Sequence, residues 1–169
     1  MTAYKRKTKL DFKDSGERQN FQTGAVRDTS SGKGRFDLMP PIPLFLVSKI
    51  YETGCLKYGD RNWEKGIPIS RYLDSAQRHI LKYQAGLRDE PHLSMASWNC
   101  LCALWTACMV TLGLRPSGLY DLPNHVSHDN IAPLSDFEAE GLETFLGRPL
   151  EKSNETVHVS RIDNSSTCV

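Results

Sequence analysis

The chain has 169 residues, of which 39% are hydrophobic and 24% charged, and its formal net charge is +1. That length favours one domain, since domains run about 100–200 residues, and the near-neutral balance gives no global reason to expect a nucleic-acid binder. Five cysteines without a CxxC pair argue against a zinc finger or a disulfide framework and point to a reducing cytoplasm.

Charge is uneven along the chain. Residues 1–37 hold nine Lys/Arg against five Asp/Glu, residues 38–114 eight against six, and residues 115–169 four against nine. The basic start (Lys5, Arg6, Lys7, Lys9) reads as a solvated arm or as an attractor for an anionic ligand. No apolar stretch follows it, so no signal peptide is expected. Residues 1–35 carry no sustained period and are read as a flexible basic arm. TSSGKGR (29–35) is a glycine-punctuated loop that lacks the GK[ST] of a phosphate-binding loop.

MPPIP (39–43) sets up the first helix, expected over 43–58. Leu44, Val47, Tyr51, Cys55 and Tyr58 form its apolar stripe, with Glu52 on the flank. A second helix is expected from Ser70, a good N-cap, to about Gly86. Its stripe is Leu73, Ala76, Ile80, Tyr83 and Leu87, and Asp74 and Arg78 are spaced to pair. A third helix starts near Asp89 or Glu90 and ends at Gly113. Its second half is apolar all round, as in a buried helix, and LCALWTACMVTLGL (101–114) is too short to span a membrane. Its first half carries a polar stripe, Asp89, His92, Ala96 and Asn99. Such groups, when buried, must face each other, a metal or a wet pocket, because an unpaired one costs roughly 1–3 kcal/mol. Beyond Arg115 a turn-rich linker leads to a short fourth helix over 135–147, with Ser135 and Glu138 in capping-box spacing. TVHVSRI near the C-terminus alternates enough to allow one strand.

The chemistry candidates follow from these elements. Glu52, Asp74, Asp89 and Glu90 come from three successive helices or their caps, and inward acids on neighbouring helices build hard-cation sites. Asp89 and Glu90 could equally cap a helix, and Asp74 could simply pair with Arg78. Lys33, Arg35, Lys57, Arg78 and His79 could hold a polyphosphate or serve solubility. His79 and His92 match no helical zinc spacing and read first as hydrogen-bonded buried histidines. Asn62 and Trp63 could hydrogen-bond and stack on a base, or Trp63 could close the core. His128–Asp129 is an HD pair, a dipeptide found in hydrolases with a His/Asp metal site, but it lies in the linker.

GKGRFDLMPP (32–41), YETGCLKYGDRNWEKGIP (51–68), RYLDSAQRH (71–79) and DEPHLSMASWN (89–99) stand in the order and near the spacing of a phage family. On them, residues 24–105 resemble the dATP/dGTP diphosphohydrolases of MazZ type, related to the all-α MazG-like pyrophosphohydrolases. The resemblance implies a mainly helical, Mg²⁺-dependent enzyme that releases pyrophosphate from dATP and dGTP, in phages that replace adenine with 2-aminoadenine. Three departures stand out: Met95 occupies a position where many relatives carry a second His, the acidic turn before His92 is only RDEP where relatives have a longer one, and the acidic EExxE…ExxD ligand string of the wider group is absent.

The combined expectation is an all-α bundle of three main helices plus a short C-terminal helix. It comprises a basic arm (1–35), a catalytic helical domain (36–114), and a linker, helix and polar tail (115–169). Mg²⁺, replaceable by Mn²⁺, is assigned to Glu52, Asp89 and Glu90, with Asp74 next. Glu52, Asp74 and His92 are the catalytic candidates. Lys33, Arg35, Lys57, Arg78 and His79 are assigned to phosphates, Asn62 and Trp63 to the base, and Asn99, lining the site, to substrate contact. The expected partners are a nucleotide substrate and further copies of the chain, with no membrane and no stable nucleic-acid complex, in the host cytoplasm. The alternatives are a triphosphohydrolase of the His/Asp-metal type and a non-enzymatic phage DNA-binding or assembly protein.

Overall fold

A computed structural model describes residues 16–123 and 132–150. The chain separates into two compact units that part after Leu38.

The first unit contains a small antiparallel hairpin within the stretch read as an aperiodic arm. Strand β1 (Arg18–Asn20) pairs with β2 (Val26–Asp28) in the register Arg18 to Asp28, Gln19 to Arg27 and Asn20 to Val26. The turn is closed by the Gly24 N–H donating to the Phe21 carbonyl, with Gly24 at φ +82°. Arg18 and Asp28 form an ion pair across the strands at 2.7 Å. Three-residue strands are too short to show a period of two, which is why periodicity misses them.

The second unit is helical: α1 (Pro41–Tyr58), α2 (Ile69–Gln84), α3 (His92–Thr111) and α4 (Asp136–Leu146). The all-α bundle is thus the architecture of the protein. Helix α1 begins behind Pro40 with Pro41 in its first turn, where a missing N–H loses no bond. It stops at Gly59, φ +86°. Helix α2 begins at Ile69, one residue before the expected Ser70. Ser70 is not its cap: the Ser70 backbone N–H and hydroxyl both donate to the Asp121 carboxylate. The C-terminus of α2 is a Schellman turn. Gly86, φ +86°, donates to the Tyr83 carbonyl, and Leu87 donates to the Lys82 carbonyl. Gly113 and Leu114 end α3 in the same way, on Val110 and Met109. Helix α3 starts at His92, so Asp89 and Glu90 sit in the loop before it rather than in its first turn. In α4 the expected capping box is formed, with Ser135 accepting from the Glu138 N–H and Glu138 reaching back to the Ser135 N–H.

Helices α2 and α3 form an antiparallel hairpin, and α1 packs on α3. The core gathers Ile69, Tyr72, Cys102, Ala103, Ala107 and Leu134, with Tyr51, Trp63, Trp98 and Leu142 packed against it. The buried stripe of α2 is Ile69, Tyr72 and Ala76, continued by half-buried His79, whereas Ile80, Tyr83 and Leu87 are exposed. The stripe is therefore rotated from the one expected. Helix α3 is the one described helix long and apolar enough to cross a membrane by length and composition. Cys102, Ala103, Thr106, Ala107 and Val110 are nevertheless buried against the other elements, as in a core helix. Leu93, Leu101 and Leu104 on its other faces are exposed, so it is not covered all round. The possible strand in TVHVSRI lies outside the described residues.

Candidate active site

A cleft of about 760 Å³ opens beside the N-terminal half of α3, walled by α1, α2 and the loops after α1 and α2. Its size lies within the roughly 300–1,000 Å³ of small-molecule sites. One part of its wall is aromatic. Trp63 and Trp98 meet Tyr51 edge-on at 5.7 and 5.9 Å, and Tyr72 meets Trp98 at 6.0 Å. Burial raises the phenol pKa of both Tyr51 and Tyr72, which keeps them neutral and makes the aromatic wall uncharged. The charged side chains on the wall are Lys57, Arg71, Arg78 and Glu90, three cations to one anion. That balance suits a polyanionic ligand carrying a flat ring.

The turn after α1 is held in place from a distance. Arg115 donates through Nε and Nη2 to the Glu64 carbonyl at 2.9 and 2.6 Å, and the Tyr72 hydroxyl donates to the Trp63 carbonyl at 3.4 Å. These bonds fix Asn62 and Trp63 on the cleft wall. Trp63 also contacts Trp105 edge-on at 4.9 Å, so it serves the core and the cleft together.

Behind Glu90 lies a histidine pair. The buried stripes of α2 and α3 bring His79 Nδ1 within 3.1 Å of His92 Nδ1. His92 is 1% exposed, and its Nε2–H donates to Asp89 Oδ1 at 3.0 Å. That bond leaves Nδ1 of His92 as a lone pair, so in the neutral pair His79 is the donor between the rings. The bond to His92 also holds the Asp89 carboxyl below the usual carboxylate range. Burial pushes the His79 pKa down, against the opposing pull of Glu90. Glu90 Oε2 stands 3.8 Å from His92 Nδ1 and 3.6 Å from Lys82 Nζ.

The residues singled out from sequence divide into groups. Lys57, Asn62, Trp63, Arg78, Glu90 and Asn99 all line the cleft. His79, Asp89 and His92 adjoin it through Glu90. Asn99 is buried and donates to the Met95 carbonyl at 2.8 Å. Glu52 and Asp74 lie on exposed helix faces, ion-paired with Lys49 and Arg78 respectively, and are not on the cleft wall. Lys33 and Arg35 belong to the first unit, where Arg35 pairs with Asp37 at 2.6 Å. Arg71 was missed. The stripe expected for α2 does not run through its neighbour Tyr72, whose burial is set by packing, so the sequence offered no signal for it. The His128–Asp129 pair lies outside the described residues.

No curated protein and no solved structure matches the chain. Residues 23–112, more than half of the sequence, match the family described as dATP/dGTP diphosphohydrolase, N-terminal. The matched span contains α1, α2 and α3, every lining residue of the cleft, and the His79–His92 pair. The chain belongs to the dATP/dGTP diphosphohydrolases and is a nucleoside triphosphate pyrophosphohydrolase.

Proposed function

We propose that the cleft binds a purine deoxynucleoside triphosphate, dATP or dGTP, and that water attacks its α-phosphorus. The new bond joins the water oxygen to that phosphorus, the bridge to the β-phosphorus breaks, and pyrophosphate leaves beside the monophosphate. The observation that carries this reading is the 3:1 excess of cations over carboxylates on the wall of an aromatic cleft. Lys57, Arg71 and Arg78 hold the phosphates, and Asn62 and Trp63 meet the base.

Mg²⁺ is the expected cofactor, with Mn²⁺ able to replace it. Mg²⁺ needs only one or two protein carboxylates when phosphates supply other oxygens. Glu90 on the wall and Asp89 beside it fit that demand. Glu52 and Asp74 would join only by leaving Lys49 and Arg78. When bound with the triphosphate, the ion supplies charge neutralisation at the phosphate oxygens. The same reading gives a homo-oligomer in the cytoplasm of a phage-infected host, without membrane or stable nucleic-acid partners. There the reaction depletes dATP and supplies dGMP for 2-aminoadenine nucleotide synthesis.

The test is incubation of the full chain with each deoxynucleoside triphosphate in Mg²⁺ or Mn²⁺, with products resolved by ion-exchange chromatography. Monophosphate plus pyrophosphate from dATP and dGTP is expected. Nucleoside plus triphosphate would move the assignment to the His/Asp-metal type of hydrolase, and no turnover in either ion would overturn it.

A further inference from the structure

The geometry points to a preformed site for a first-row transition-metal dication at His79, Glu90 and His92, its two imidazoles setting it apart from a Mg²⁺ that accompanies the nucleotide and meets the same Glu90 from the cleft. The inference goes beyond the reaction proposed above and does not rest on it.

Three ligand atoms, one from each residue, lie within 4.8 Å of one another, and no other such set occurs among the described residues. The two imidazole Nδ1 atoms are 3.1 Å apart, and Glu90 Oε2 is 3.8 Å from His92 Nδ1. Two ligands bonded to one ion at about 2.1 Å stand roughly 3.0–3.5 Å apart for bond angles of about 90–110°. The histidine pair already meets that spacing, and the exposed Glu90 side chain needs only a small swing. Two imidazole nitrogens with one carboxylate suit Fe²⁺, Co²⁺ or Zn²⁺, whereas Mg²⁺ prefers oxygens throughout.

The surroundings complete the arrangement. Asp89 accepts the Nε2–H of His92 at 3.0 Å, which fixes the tautomer with its Nδ1 lone pair turned to the ligand position. A carboxylate behind a ligating histidine is the usual outer partner of protein metal sites. The Schellman turn at Gly86 sets the short connection that presents Asp89 and Glu90 against two helices. Lys82 is the competing cation, 3.6 Å from Glu90. Without an ion, the same cluster is a hydrogen bond between rings plus a Lys82–Glu90 pair.

The experiment uses tag-free full chain stripped with chelator and then dialysed. Co²⁺ is titrated with visible absorption as the readout, and Zn²⁺ and Mg²⁺ are titrated by calorimetry. One Co²⁺ or Zn²⁺ per chain is expected, undisplaced by a tenfold excess of Mg²⁺. His92 is fully buried, so the variants are His79→Gln, Glu90→Gln and Asp89→Asn, each checked for unchanged helical circular dichroism. The first two should weaken binding at least tenfold, and the third about 10–100-fold. No Co²⁺ band, or affinity unchanged in both His79→Gln and Glu90→Gln, overturns the site. Because no nucleotide is present, that failure is separate from failure of the proposed reaction.

Discussion

Arg78 is the residue where the local pairing and the proposed chemistry compete. Its guanidinium pairs with Asp74 one turn back, yet the same side chain lines the cleft. Both groups are about half exposed, so the pair itself contributes little stability. A phosphate contact is worth more, about 1.5–3 kcal/mol for a charge-assisted hydrogen bond. Arg78→Ala should therefore raise the KM for dGTP about 10–100-fold while the urea midpoint moves little. An unchanged KM would remove Arg78 from the phosphate site. The cysteines offer a second contrast. Burial pushes the Cys102 thiol up to about 11, and it contacts the Tyr51 hydroxyl at 3.8 Å, whereas Cys100 is exposed. Since the thiolate is the reactive form, Cys102 is protonated and inert at pH 8. A thiol reagent at that pH should modify Cys100 in the native protein and reach Cys102 only on unfolding, as peptide mass mapping would show.

At the scale of the element, the α2–α3 turn matters most, because it places Asp89, Glu90 and His92 against His79. Gly86 sits at φ +86° with open space around its missing Cβ. An alanine there meets no clash, so the whole cost is backbone strain in the left-handed region. Gly86→Ala should cost upward of about 1 kcal/mol in chemical denaturation. A neutral result would mean the turn relaxes to another form. The ends of helices were legible in sequence for the same reason that this prediction can be made. Gly59, Gly86 and Gly113 act through their own backbone, and Ser135 through a side chain three residues from its partner. Ser70 misled because a serine hydroxyl serves any nearby partner. Here the partner is Asp121, fifty-one residues away, and no local pattern encodes it.

At the scale of the whole molecule, the described residues leave much apolar surface uncovered. In α1 only Val47 is buried, while Phe45, about 200° away around the helix, is 64% exposed, and Ile42, Leu46 and Leu56 are exposed too. Leu101 and Leu104 add to this on α3. Scattered exposed leucines are ordinary, but contiguous apolar helix faces mark association. Light scattering should give a mass that is a multiple of 19.1 kDa. Phe45→Glu should lower it without loss of helical content. A monomeric mass for the unaltered chain would refute the assembly.

The sequence by itself determined the helical class, the ends of most helices, and the fact that polar groups on α3 had to find partners inside. Those properties depend on backbone propensity and on spacings of three or four residues. It also carried the family, through motifs that run in order along one chain. Only the tertiary structure decided which face of α2 turns inward. The sequence offers two overlapping stripes about 100° apart, one through Leu73 and Ile80, the other through Tyr72 and His79. Packing on α3 selected the second, and with it the meeting of His79 and His92. It likewise left Glu52 and Asp74 outside with their basic neighbours and brought Arg71 to the cleft. The physical reason is that the rotation of a helix about its axis is fixed by the surface it packs on, which the spacing within one helix cannot specify.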